Sequence, residues 1–525
     1  MGKLDRFLIS ENMLQNFPNV SGLLLEKHLS DHRPILLREM MMDYGPTPFR
    51  MAHSWMGKSE FVEVVADSWS NDGVSGGSSM VRLKEKFKIL KNRVRSWAKE
   101  RTINNKVELK DKLKALDKRI DAGEVGVIEN RDAILKSLID LEKDEAIDIA
   151  QKAKIKWAIE RDENSKYFHG MVKKARSRMA IRGVLVNGDW IDEPKAVKNE
   201  FLTHFASRFS SRPAFRLPMN LVFPRQLSFG QMAMLEECVT ADEIKRAVWD
   251  CGADKSPGSD GITFEFIRKF WSVVEGSIVE AVQEFFRVGE FPRGCNSSFI
   301  ALIPKVTDAR FVKDFKPISL IGCQYKIIAK ILANRLRVVI GDLVSGQQSA
   351  FIAGRQILDG PLVLNEVVSW CQMKKKKALV FKVDFEKAYD SVRWDFLEDC
   401  LAGFGFGPNW CRWIHGYLIS VVGSVLVNGS PTDDFPFQRG LRQGDPLSPF
   451  LFILVMEVLH ISFTRAMDEG LFTPLRVGEA MNISHLFYAD DAVFVGEWKD
   501  ENFTNILSIL QCFFLASGLK INIHK

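Results

Sequence analysis

The sequence predicts an α+β fold, and three observations carry that expectation. Strand-like apolar runs such as Phe299-Ile300-Ala301-Leu302-Ile303 and Val380-Phe381-Lys382-Val383 alternate along the chain with longer stretches at helical spacing. Asn187-Gly188 and Asn428-Gly429 stand between short apolar segments, where they favour tight hairpins. The 525-residue length, with 46% hydrophobic and 26% charged residues, allows several domains around a large core and argues against wholesale disorder.

The elements follow in order. Residues 1–50 read as strands and loops ending in Leu29-Ser30-Asp31-His32-Arg33-Pro34-Ile35, a stretch too small to bury a core of its own. Pro46 and Pro48 break that pattern. From Trp55 to about Met179 the chain becomes helical and charged, with Lys112 to Ile120 and Ala133 to Ala150 spaced as amphipathic helices around a turn at Gly123 and Gly126. Ile181 to Trp190 predicts a hairpin, Ser210 to Pro218 a polar loop, and Thr240 to Val288 a run of helices. Phe299 to Ile303 then predicts a strand and Tyr325 to Ile340 a helix. Ala378 to Asp384 predicts the next strand, and Trp394 to Phe404 the next helix. A hairpin over Gly423 to Phe437, a helix from about Pro449 and an acidic hairpin complete the series.

Charge and cysteine usage set limits. The net charge of +6 does not by itself indicate nucleic acid, but residues 82–119 hold 15 Lys and Arg against 5 Asp and Glu. The Lys374 to Lys377 run is simplest as a solvated turn before a strand. Eight cysteines are scattered singly, which argues for a reducing compartment and against structural zinc. Lys3, Asp5 and Arg6 interrupt any signal-peptide core. Pro449 to Phe463 is the longest apolar run, contains Glu457 and His460, and is expected to be too short to span a bilayer. The expectation is a soluble, intracellular chain with no membrane partner.

The chemistry concentrates in three blocks. Phe487 to Ala492 places Asp490 and Asp491 side by side between apolar flanks that want to be buried strands. Adjacent like charges there are costly unless a cation compensates. Asp384 ends the hydrophobic strand Val380 to Val383, so two strands would present three carboxylates, the donor set that a pair of magnesium ions uses in phosphoryl transfer. A helix cap at Asp384 and an ordinary acidic hairpin tip at Asp490-Asp491 explain the same residues. The second block is Gln438 to Pro449, whose glycines allow close backbone approach while Arg439 and Arg442 attract phosphate. The third places Lys305 and Lys316 on hairpin strands, where they would clamp a triphosphate electrostatically or simply face solvent.

In this order the blocks resemble the reverse transcriptases of LINE-type non-LTR retrotransposons, especially plant ones. The resemblance covers Lys255-Ser256-Pro257-Gly258, Leu302 to Lys305, Lys316 to Leu320, Tyr325 to Ile328, and Gln348 to Phe351 with Gly354-Arg355. It continues through Asp384 to Asp390, Gln443 to Pro449, Tyr488 to Asp491 and Gly518 to Asn522. It implies a right-hand polymerase fold with fingers and palm over 296–525, preceded by an N-terminal extension of the fingers over 181–295 and a charged helical linker over 51–180.

The resemblance further implies that Asp384, Asp490, Asp491 and the backbone carbonyl of Phe385 bind two Mg2+ ions, with Mn2+ as a substitute. Tyr389 would exclude a 2′-hydroxyl, Gln443 and Gly444 would contact the incoming nucleotide and template, and Lys305 and Lys316 its phosphates. Relatives often carry arginine where Lys316 stands; lysine keeps the charge and loses the bidentate fork. RNA template, DNA primer or target and dNTP are the implied partners, and nucleus and cytoplasm the implied locations. Ser30-Asp31-His32 is similar to the last motif of an apurinic-type endonuclease domain, so residues 1–50 are expected to be its C-terminal remnant, with His32 no longer catalytic. Lys156 to Glu160 and Asn164 to His169 resemble the helical linker of plant elements. No thumb is expected after Asn522, which would weaken the grip on primer and template. The competing expectation is an inactive or domesticated remnant that at most binds nucleic acid; a group II intron maturase would share only the polymerase motifs.

Overall fold

Apolar stripes on otherwise polar helices organise the first part of the chain. The computed structural model describes residues 43–525 except 71–76, 105, 123–127, 154–179, 211–214, 480 and 523–525, together with 7–10, 13, 17, 20–24 and 35–39. Asp31 and His32, and the segment from Lys156 to His169, lie outside the described residues. Strands β1 (Val20–Leu24) and β2 (Ile35–Glu39) pair antiparallel. Helices α1 (Ser59–Ser70), α2 (Ser79–Asn104), α3 (Lys106–Asp121) and α4 (Ile128–Ala153) follow, and the last two contain the expected amphipathic segments. Helix α2 carries much of the basic excess, yet Leu83, Phe87, Leu90 and Val94 recur at helical spacing and are all buried. Phe61 of α1 sits 5.4 Å from the Trp97 ring and 5.8 Å from that of Phe270. The first helices of the charged region therefore share one hydrophobic core with everything that follows, from Tyr44 to Leu519.

Strands β3 (Val184–Val186) and β4 (Asp189–Ile191) form the Asn187-Gly188 hairpin, both turn residues having positive φ (52° and 99°). Helix α5 (Pro194–Ser210) buries Val197, Phe201, Phe205 and Phe209 on one stripe. Helices α6 (Phe229–Leu235), α7 (Ala241–Asp250), α8 (Phe264–Lys269) and α9 (Trp271–Val288) come next. Side chains of Ser228, Thr240 and Thr263 accept from the third helical N–H of α6, α7 and α8. Gly289, at φ 87°, ends α9.

The remainder alternates strands and helices. In order they are β5 (Ser297–Pro304), β6 (Phe315–Ile321), α10 (Cys323–Leu343), α11 (Asp359–Lys374), β7 (Ala378–Val383), α12 (Ala388–Ser391), α13 (Trp394–Gly403) and α14 (Pro408–Ile419). After them come β8 (Val422–Val427), β9 (Ser430–Pro431), β10 (Phe435–Pro436), α15 (Ser448–Asp468), β11 (Leu475–Val477), β12 (Met481–Ile483), β13 (His485–Tyr488), β14 (Asp491–Glu497) and α16 (Asp500–Ser517). One sheet runs β10–β8–β5–β6, with β9 on β8; another runs β13–β14–β7. Helix α5 lies across the first sheet, Phe201 edge-on to Phe315 at 5.5 Å and Phe209 stacked on Phe437 at 3.9 Å.

The length argument about the apolar run needs correction. Helix α15 extends to 21 residues, long and apolar enough by length and composition to cross a membrane, but 72% of its most apolar window is buried inside the fold. Apolar residues surround this helix because protein surrounds it.

Candidate active site

The acidic tip is a two-residue hairpin loop. Tyr488 pairs with Asp491, which leaves Ala489 and Asp490 at the turn, Ala489 at φ 51°. Inward residues hold the strands: Phe487, Ala492 and Phe494 are buried. Strand β14 pairs on its other side with β7, Ala492 opposite Val383. One further step in that register sets Asp491 opposite Asp384.

The chain beyond β7 is fixed by its C-terminal segment. Asn522 N–H donates to Asp384 O at 2.8 Å, Glu386 N–H to Lys520 O at 2.8 Å, and Phe385 bridges Ile521. This pairing depends on Gly518, at φ 84°, where a Cβ would stand 2.5 Å from Ser391 O. Gly518→Ala is therefore expected to destabilise the chain by about 1–3 kcal/mol in a denaturant melt.

The three carboxylates interact. Burial pushes the Asp490 carboxyl up, Asp491 and Asp384 add repulsion, and Lys316 opposes them. Asp491 also reaches Lys382 on the exposed side of the sheet at 3.3 Å. The donor set is hard carboxylate oxygen and carries more negative charge than Lys316 offsets, which fits a divalent cation. Among the described residues, no three acidic, histidine or cysteine side chains are gathered closely enough to chelate one ion as they stand.

Other expected residues reach the same region. Burial, and secondarily Asp490, raise the Tyr389 hydroxyl, and the ring stacks on Phe452 at 4.6 Å. Leu441 N–H donates to Tyr389 O at 2.7 Å, tying the Gly-rich loop to that tyrosine. Gln443 O accepts from Ser319 N–H at 2.8 Å, and a Cβ on Gly444 would stand 3.1 Å from Ser319 O. The loop thus lies against β6, three residues from Lys316. Lys316 is exposed on β6 opposite Ile303, and Lys305 follows β5 with its Nζ donating to Lys313 O at 3.1 Å.

Arg442 departs from expectation. It is 4% exposed, with its guanidinium 3.9 Å above the Tyr325 ring and donating to Asn296 Oδ1. Buried in the core, it does not present its charge to a phosphate; Arg439 is the half-buried partner that stays beside the site.

Two contributors carry no role in the sequence reading. Gln348, 1% exposed, accepts through Oε1 from Ala489 N–H and Ala350 N–H, each at 3.0 Å. Phe487 N–H donates to Gln347 O at 2.8 Å and Ser349 N–H to Phe487 O at 3.0 Å, so the 345–350 segment flanks β13. The Gln-Ser-Ala-Phe motif was a signal for this segment, though not for its contact. Arg208 of α5 pairs with buried Asp390, and no local pattern marked it.

Comparison with known proteins matches residues 303–525 to the family described as reverse transcriptase (RNA-dependent DNA polymerase). The whole chain is 25% identical over 542 aligned residues to the Transposon TX1 uncharacterized 149 kDa protein of Xenopus laevis, covering 40% of that protein. It is 29% identical over 300 residues to a retrovirus-related Pol polyprotein from the type-1 retrotransposable element R2 of Popillia japonica, covering 55% of this chain and 38% of that one. A similar Pol polyprotein from the type-2 element R2DM of Drosophila melanogaster is 27% identical over 270 residues, 51% of this chain and 24% of that one. The chain thus spans 40% or less of the length of these relatives.

Proposed function

Residues 303–525 belong to the reverse transcriptase family, within a chain homologous to non-LTR retrotransposon polyproteins, and from that premise we propose that the chain is an RNA-directed DNA polymerase. It extends the 3′-hydroxyl of a DNA primer on an RNA template, one dNTP at a time. The observation that carries this reading is the register that brings Asp384 of one strand beside Asp490-Asp491 of its neighbour, with Lys316 as their counter-charge.

In this reading Asp384, Asp490, Asp491 and the Phe385 carbonyl hold two Mg2+ ions, with Mn2+ as an alternative. Bound there, the metals would lower the pKa of the primer hydroxyl and neutralise charge on the leaving pyrophosphate. Lys305 and Lys316 hold the phosphates, and Gln443 and Gly444 place the nucleotide against β6. The β10–β8–β5–β6 sheet acts as fingers and the β13–β14–β7 sheet as palm. Residues 1–50 are read as the end of an endonuclease domain, with Asp31 and His32 its last motif, and the protein as working in nucleus and cytoplasm.

Tyr389 lies under the sugar of the incoming nucleotide, pinned by Phe452. Tyr389→Ala is expected to raise ribonucleotide incorporation relative to deoxynucleotide by about tenfold or more, scored by alkali-sensitive primer products. Primer extension by the chain on an RNA template with Mg2+ tests the function itself. No extension across varied primers would leave the inactive-remnant reading in its place.

A further inference from the structure

Helix α5 lies before the segment matched to the reverse transcriptase family, yet its last turn enters the site. The buried stripe of Phe201, Phe205 and Phe209 fixes the rotation of α5, so His204 and Arg208, one turn apart, share the adjoining face. The Arg208 side chain is 10% exposed and pairs with Asp390, whose side chain is 3% exposed. Arg208 Nε is buried with no hydrogen-bond partner, while Arg439 Nε donates to Arg208 O at 2.9 Å.

Three more cations, Lys387, Lys305 and Arg439, act on the same Asp390 carboxylate. One buried carboxylate needs one cation; four leave uncompensated positive charge in a poorly solvated pocket. The excess is felt throughout the group. Burial and then Arg208 lower the Lys305 and Lys387 ammonium values, and burial with Lys387, Arg208 and Lys305 brings His204 down to about 4. Lys305 is in electrostatic range of Lys316, and Lys316 of Asp490, so the pocket continues directly into the carboxylate site.

We propose that Arg208, together with Lys387 and Lys305, binds the terminal phosphates of the incoming nucleotide, a pyrophosphate-class polyanion. The nucleotide site is then completed by a helix outside the matched family segment. This assignment rests on the polymerase reading for the identity of the ligand, and its test does not depend on catalysis.

The probe is inorganic tripolyphosphate, titrated calorimetrically into the full chain in EDTA, so that no metal bridges it to the carboxylates. The parent is expected to bind it saturably. Arg208→Gln alone leaves Asp390 buried without its partner and risks misfolding, so it is combined with Asp390→Asn, which removes both charges of the pair. The double variant, confirmed as folded by its melting transition, is expected to bind at least about tenfold more weakly, a loss of about 1.4 kcal/mol. Asp390→Asn alone is expected to bind as tightly as the parent or more so. If Arg208 served only to neutralise Asp390, the double variant would bind like the parent, and the proposal would be overturned. Failure of the parent to bind tripolyphosphate overturns it as well. Primer extension then separates the two readings. Binding without extension supports the pocket while removing the polymerase, and an unchanged KM for dNTP in an active double variant removes the pocket while leaving the polymerase.

Discussion

Asp490→Asn is expected to abolish primer extension, by about a thousandfold or more, without lowering the stability of the chain. The carboxylate stands at the tip of the β13–β14 turn, partly buried, beside Asp491 and Asp384 with Lys316 as opposing charge. Metal-borne stabilisation of transition-state charge amounts to several kcal/mol, and each 1.36 kcal/mol is tenfold in rate. Asparagine keeps the size and the turn but removes the charge that would hold the cation. Stability moves the other way. A carboxyl whose folded pKa is raised favours the fold fully only below its unfolded value, and that contribution is lost as pH rises through the folded value. At neutral pH the ionised Asp490 is therefore a strain on the fold that Asn relieves. Single-turnover extension and a thermal melt on the same preparations check both halves. Extension that survives in the variant would remove Asp490 from the metal assignment.

Gln348→Ala is expected to cost both stability and turnover, although the side chain touches no substrate in the proposed reaction. Its Oε1 is the acceptor for Ala489 N–H, in the positive-φ residue that immediately precedes Asp490, and for Ala350 N–H. Truncation leaves two buried donors unmet, at about 1–3 kcal/mol each. A loss of about 2–5 kcal/mol in a denaturant melt follows. The turn that aims Asp490 is then held only by its strands, so kcat should fall while KM for dNTP changes little, since the phosphate-binding lysines are untouched. A variant with normal kcat and reduced stability would make Gln348 a packing residue only.

The candidate site was legible where short-range rules governed it. Apolar alternation around Tyr488-Ala489-Asp490-Asp491 dictates a hairpin with acids at its tip, and the hydrophobic run to Val383 dictates a strand delivering Asp384 to one end. The Asn-Gly turns and the helix through Pro449 followed from equally local chemistry. Arg442 and α15 were read less well. Arg442 has the same local appearance as Arg439, and only the ring of Tyr325, over a hundred residues away, draws it into the core. The end of α15 is set by packing, not by the charges inside its apolar run.

Sequence alone determined the family, the order of the strands and helices, and the identity of the three carboxylates, because each is encoded within a few neighbouring residues. Tertiary structure decided which distant residues serve them. Gln348 meets Ala489 across 141 positions and Arg208 meets Asp390 from a different helix, contacts that no periodicity announces. Their partners are chosen by how sheets and helices pack around the common core. A buried hydrogen bond or ion pair forms wherever that packing leaves a polar group to satisfy, and this requirement has no signature along the chain.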